Sequence, residues 1–199
     1  ADMEMITYVV SGQLTHRDSR TSKEETLSRG SIQFMTAGYG LEHSEQNQGD
    51  APVRFIQAWI KPLDYDLEPN YGSFHCTAGG EERKNTLCHL VSNIEHYRTF
   101  TPVKINQDFD AYASELELGN KVELEVAEGK QAYMVCIEGG VKVNEEVELD
   151  KYDGCEIVSS PGKLEIEATK VEATETGEVA HILLFVMEAA GEGTGRTDL

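Results

Sequence analysis

A chain of 199 residues, 39% hydrophobic and 27% charged, is long enough to bury a substantial core and has the composition of a globular protein rather than a disordered one. Its 36 acidic residues against 17 basic ones leave a formal net charge of -19, a field that repels phosphate backbones and anionic lipid. Direct binding to nucleic acid or membrane is therefore not expected: the one basic pair, Arg17 and Arg20, is ringed by Asp18, Glu24 and Glu25, and the longest apolar run, Ile182 to Met187, is too short to span a bilayer.

In chain order, a strand-like pattern begins at once with Met3-Glu4-Met5-Ile6-Thr7-Tyr8-Val9-Val10. A domain seldom opens inside a strand, so a segment preceding Ala1 is expected. Runs of period two then recur, broken by Gly, Pro and Asp-Gly turns, the spacing of a sandwich or barrel. Pro62 to Asn85 is rich in Asp, Glu, Gly and Pro and reads as a connecting loop, with a domain boundary near residues 78 to 86. Beyond it, Val122, Leu124 and Val126 alternate with Lys121, Glu123 and Glu125, and Leu164, Ile166 and Ala168 alternate with Glu165 and Glu167; each is a strand with one wet face. Ile182 to Met187 is apolar on both faces and reads as a central, doubly covered strand. The four cysteines, Cys76, Cys88, Cys136 and Cys155, form no C-x-x-C pair, which favours reduced thiols in a cytoplasmic or nuclear setting.

An internal repeat organises these elements. Tyr8-Val9-Val10-Ser11-Gly12-Gln13-Leu14, followed by Leu27-Ser28-Arg29-Gly30-Ser31-Ile32, is echoed by Tyr133-Met134-Val135, Gly139-Gly140-Val141 and Leu149 to Ile157. Both copies read as strand, glycine turn, strand, tight turn, strand, which predicts an all-β chain of two antiparallel barrels. Chemistry concentrates in the first copy. His43 and Glu45, two apart on a strand, project to one side and would supply half of a non-haem metal site. The competing reading is a solvated strand end, which a bare H-x-E more often marks. His16 is the nearest further imidazole; His75, His89, His96 and His181 read as structural or exposed. In the second copy Leu164 and Ile166 fall where His43 and Glu45 stand, so that barrel is expected to carry no metal.

Met3 to Gly12, Thr15-His16-Arg17-Asp18-Ser19 and Gln33-Phe34-Met35-Thr36-Ala37-Gly38-Tyr39-Gly40-Leu41-Glu42-His43-Ser44-Glu45 resemble the pirin signature; Phe55 to Ile60 and Pro69-Asn70-Tyr71 fit the same family. The resemblance implies two cupin-type barrels, residues 1–80 and 81–199, each a double-stranded β-helix. It also implies one metal, iron(II) or another divalent transition metal, in the N-terminal barrel. In the family that metal is held by three histidines and a glutamate. His43 and Glu45 match the third histidine and the glutamate, and the first two form a His-x-His expected just ahead of Ala1, so the N-terminal barrel and its metal site are expected to be incomplete in this chain.

Pirin-like quercetinases open a flavonol with dioxygen. The resemblance thus implies a quercetin 2,3-dioxygenase-like activity in which Glu45 accepts the flavonol hydroxyl proton, with Ile32, Phe34 and Met35 as candidate substrate wall on whichever face points inward. The alternative is a protein-interaction module partnering a transcription regulator, as animal pirins do. A third reading is a metal-free remnant, oligomeric where strands are left uncovered.

Overall fold

The computed structural model describes residues 3–18, 24–40, 42–158 and 162–189. Ala1, Ser19, Arg20 and Leu41, each named above, lie outside them. The described chain is built from strands, with no helix among its residues and so none able to cross a membrane.

Its first part forms β1 (Glu4–Ser11), β2 (Leu14–Asp18), β3 (Glu24–Leu27), β4 (Ile32–Thr36), β5 (His43–Gln46), β6 (Arg54–Ile60) and β7 (Asn70–Phe74). Next come β8 (Cys88–Asn93), β9 (Val103–Ile105), β10 (Phe109–Leu116) and β11 (Lys121–Val126). The last part holds β12 (Lys130–Glu138), β13 (Gly140–Val143), β14 (Val147–Asp150), β15 (Gly154–Ile157), β16 (Gly162–Lys170), β17 (Glu172–Thr174) and β18 (Gly177–Glu188). A sheet ordered β6-β1-β4-β7 faces the sheet β3-β2-β5, and a sheet ordered β15-β12-β18-β10-β8-β9 faces β11-β16-β13-β14.

The sequence repeat is a repeat of pairing. β1 pairs β4 and β6 as β12 pairs β15 and β18, and β2 pairs β3 and β5 as β13 pairs β14 and β16. Even the irregularities coincide: the ladder slips between Val9 and Ser11 in one copy and between Cys136 and Glu138 in the other. Gly12 (φ 76°) and Gly139 (φ 72°) turn the corner that follows, a left-handed backbone that a side chain would strain. A Cβ on Gly12 would lie 2.5 Å from the Pro52 carbonyl oxygen, so the corner also needs the missing side chain for space.

Three apolar cores result. Val122, Met134, Val143, Ile166, Leu184 and their neighbours fill the second barrel. Ile6, Tyr8 and Ile32 meet Leu90, Ile105, Phe109, Leu183 and Phe185 where the two barrels join. Among the described residues, the first barrel's own buried apolar cluster is Val9, Leu14 and Leu27, with Val53 packed against it. β18 is the doubly covered strand expected: Ile182, Leu184 and Val186 face the second barrel, while Leu183 and Phe185 face the joint. β11 and β16 alternate as their sequences predict.

One expectation fails. The stretch read as a loop, Pro62 to Asn85, contains β7, which pairs β4 from Ile32↔Phe74 to Thr36↔Asn70. Glycine and proline signals hid a short edge strand. Gly72 is there because the ring of Phe34 occupies the place of its side chain, with Cε1 2.5 Å from where a Cβ would stand.

Candidate functional site

The two barrels differ most where their registers coincide. In the first, Thr7 lies between Gln33 and Gln57, and His16 lies opposite Glu45. The corresponding pairs in the second are Met134 with Cys155 and Leu184, and Val143 with Ile166. All five of those residues pack into the second barrel's core, Cys155 at its margin. Five positions that hold hydrocarbon, a thioether or a thiol in one barrel therefore hold a hydroxyl, an imidazole, two amides and a carboxylate in the other. Buried polar groups persist only when hydrogen-bonded, so such a replacement requires a connected network.

That network surrounds Glu45. Gln33 Nε2 donates to its Oε1 at 2.5 Å and Gln57 Nε2 approaches Oε2 at 3.4 Å. Gln57 Nε2 also donates to Thr7 Oγ1 (3.1 Å), and its Oε1 accepts from Trp59 Nε1 (2.8 Å). On the other flank the Tyr71 hydroxyl lies 3.3 Å from Gln33 Oε1 and 2.9 Å from Glu25 Oε2, and Glu25 Oε1 sits 2.8 Å from His75 Nε2. Partial burial works against the charge on Glu25, but hydrogen bonds from His75, Ser73 and Tyr71 outweigh it and hold the carboxyl below its ordinary range.

His43 and Glu45 share a strand face as the H-x-E spacing requires, although His43 is exposed and Glu45 half-buried. His16 is enclosed, 1% exposed, with its ring stacked on Tyr71 (centroids 4.2 Å, planes 3° apart) and 5.7 Å from the ring of His43, whose plane lies 20° from its own. Among the described residues no group of three or more His, Cys, Asp or Glu side chains is disposed to hold a metal ion. His43 and Glu45 remain two candidate donors on one strand face. Of the candidate wall residues, Met35 shares the strand face of Gln33, whereas Ile32 and Phe34 pack at the joint between barrels, because alternate residues of β4 take opposite sides.

The glutamines, Tyr71, Glu25 and His75 escaped the sequence reading because polar residues alternating on strands normally mark a wet face. The available signal was the repeat itself, since aligning the two copies sets each of Thr7, His16, Gln33 and Gln57 against a core position.

Comparison with known proteins places this architecture. The family model described as Pirin matches residues 1–60, and that described as Quercetinase C-terminal cupin domain matches residues 95–187. A Pseudomonas aeruginosa protein provisionally named quercetin 2,3-dioxygenase is 34% identical over 178 residues, covering 89% of this chain and 72% of its own length. The chain belongs to the pirin family. A second pirin-family relative, the quercetin 2,3-dioxygenase of Escherichia coli K12, is 28% identical over 146 residues, 72% of this chain and 58% of that enzyme. The crystal structure of the bacterial pirin YhhW from Escherichia coli in complex with nickel(II) superposes with a TM-score of 0.74 at 24% identity, covering 95% of this chain and 74% of that one. Its likeness establishes the pirin fold, with two cupin-type barrels, for the present chain.

Proposed function

We propose that this pirin-family chain serves a quercetinase-like dioxygenase reaction on a flavonol-type substrate, with His43 and Glu45 as two ligands of a divalent metal. The observation that carries this reading is the contrast in register: a barrel otherwise built like its hydrocarbon-filled twin devotes its interior to Thr7, His16, Gln33, Gln57 and Glu45. The curated names of relatives and the nickel complex of a structural neighbour point the same way.

In this reading Gln33 and Gln57 position Glu45 by holding its two carboxylate oxygens, and Glu45 is the acceptor for the substrate's hydroxyl proton. Incubation of iron- or nickel-loaded protein with quercetin in air should consume oxygen and flavonol together. His43→Ala and Glu45→Ala should each abolish the uptake. Quercetin left intact by metal-loaded protein would remove the enzymatic reading.

One observation favours a protein-interaction role as a second reading. Tyr97 and Phe100, 89% and 96% exposed, stand on the loop between β8 and β9, which Lys104 Nζ ties down through Ser92 Oγ and the carbonyls of His96 and Thr99. A fastened loop presenting two aromatics suits a partner surface. Replacing both by alanine should abolish capture of any specific partner and leave flavonol turnover unchanged.

A further inference from the structure

The joint between the barrels holds a largely buried cluster of charged groups that the site does not use. From the first barrel come Tyr8 on β1, Arg29 in the turn before β4 and Arg54 on β6; from the other side come Arg83, Glu115 on β10, Glu138 on β12 and His181 on β18. Arg29 Nε donates to Glu115 Oε1 (2.9 Å), its Nη1 to the Val10 carbonyl (2.8 Å) and its Nη2 to Glu138 Oε2 (2.7 Å). Arg83 Nε donates to Glu115 Oε1 at 3.0 Å, Thr176 Oγ1 to Glu115 Oε2, and the partly exposed Arg54 Nη1 to Glu138 Oε1 at 3.1 Å.

His181 sits at the centre, fully buried. Its Nδ1 is 3.1 Å from Glu138 Oε2, and its Nε2 is 2.8 Å from the Tyr8 hydroxyl across the joint. Glu138 is held down at about 2: burial opposes its charge, but hydrogen bonds from His181 and Arg29 outweigh that. A carboxylate accepts only, so Nδ1 carries the ring proton; Nε2 is then an acceptor, and the Tyr8 O–H donates to it. The arrangement is satisfied by a neutral imidazole. Glu115 Oε1 lies 4.0 Å from Nδ1 and Arg29 Nη2 only 3.3 Å, while the buried Arg29 and Arg83 already balance Glu115 and Glu138. A proton on Nε2 would add an uncompensated charge beside Arg29. It would also turn the Tyr8 hydroxyl from donor to acceptor, leaving its hydrogen to find another partner in a dry site.

We propose that His181 is a pH-sensitive latch between the barrels: neutral, it fastens Tyr8 of the first barrel to Glu138 of the second, and protonated, it releases the first barrel's side of the joint. Release would reach β1 and β4, the strands that carry Thr7 and Gln33 of the polar cluster. Burial lowers the proton affinity of His181 from its ordinary 6.5, so release belongs below that pH.

Hydrogen exchange, corrected for intrinsic rates and followed from pH 7 downward, tests the latch. In the natural protein, protection of residues 5–10 and 29–34 should fall while that of 140–150 and 163–169 persists. The midpoint should coincide with the titration of the His181 ring proton seen by NMR. His181→Gln keeps a neutral donor and acceptor, and its midpoint should move down by about one pH unit or more. Equal loss of protection in both barrels, an unmoved midpoint in His181→Gln, or a His181 ring that stays neutral while the joint loosens would each overturn the proposal. The NMR titration in the natural protein decides the matter even where the variant fails to fold.

Discussion

Glu45 and Ile166 occupy one topological position in two barrels, and their surroundings determine what each position tolerates. Glu45 meets two amide donors; Ile166 meets Met134, Leu184 and Val143. Ile166→Glu should therefore destabilise the protein by about 3 kcal/mol or more, since a buried carboxylate there finds no donor. Glu45→Gln, which keeps the shape, should cost only about 1 kcal/mol. Urea denaturation of the two variants checks the contrast, and equal costs would show that the first barrel's interior is not the polar environment described. His43 and Glu45 were legible because two-residue spacing fixes a shared strand face. Gln33, Gln57 and Tyr71 were not, because a strand's polar alternation has the same appearance whether it faces water or a lined interior. The cluster around His181 was hidden for another reason: Arg29, Glu115, Glu138 and His181 are scattered through the sequence and meet only when the barrels dock.

At the level of elements, the turn that follows β4 depends on a glycine. Gly38 has φ 47°, and a Cβ there would lie 1.9 Å from the Leu67 carbonyl oxygen. Gly38→Ala should cost about 2 kcal/mol or more, because backbone must move. Gly119 also has a left-handed φ of 76° but open space around it, so Gly119→Ala should cost about 1 kcal/mol, the conformational penalty alone. Thermal melts that ranked the two alike would contradict this distinction between strain and collision. The strands themselves were readable where period two ran for five residues or so, as in β11 and β16, and in β18 from its unbroken apolar run. β7 was not, since Tyr71 and Phe74 are interleaved with glycine and serine on an edge where a short, weakly patterned strand suffices.

For the whole molecule, acid should be the destabilising direction. Folded His181 binds a proton less readily than the unfolded chain, so below about 6.5 the unfolded state takes up protons that the folded state refuses, and stability falls. Glu138, held at about 2 against an ordinary 4.5, adds a further loss as pH drops through 4.5 toward 2. Unfolding free energy measured between pH 8 and 2 should decline in that order, and the first part of the decline should be absent in His181→Gln. The two-barrel plan was legible from the repeat, whereas the joint was not: it is made by the outward faces of β1, β10 and β18, whose apolar residues read equally well as one barrel's interior.

In the proposed reading His43 and Glu45 are metal ligands in the polar barrel. Calorimetric titration of the chain with nickel(II), alongside His43→Ala and Glu45→Ala, decides whether they are. One site per chain, weakened about tenfold or more by either substitution and unchanged by His89→Ala, is the expected result. No nickel site at all, or a site indifferent to both substitutions, would contradict it.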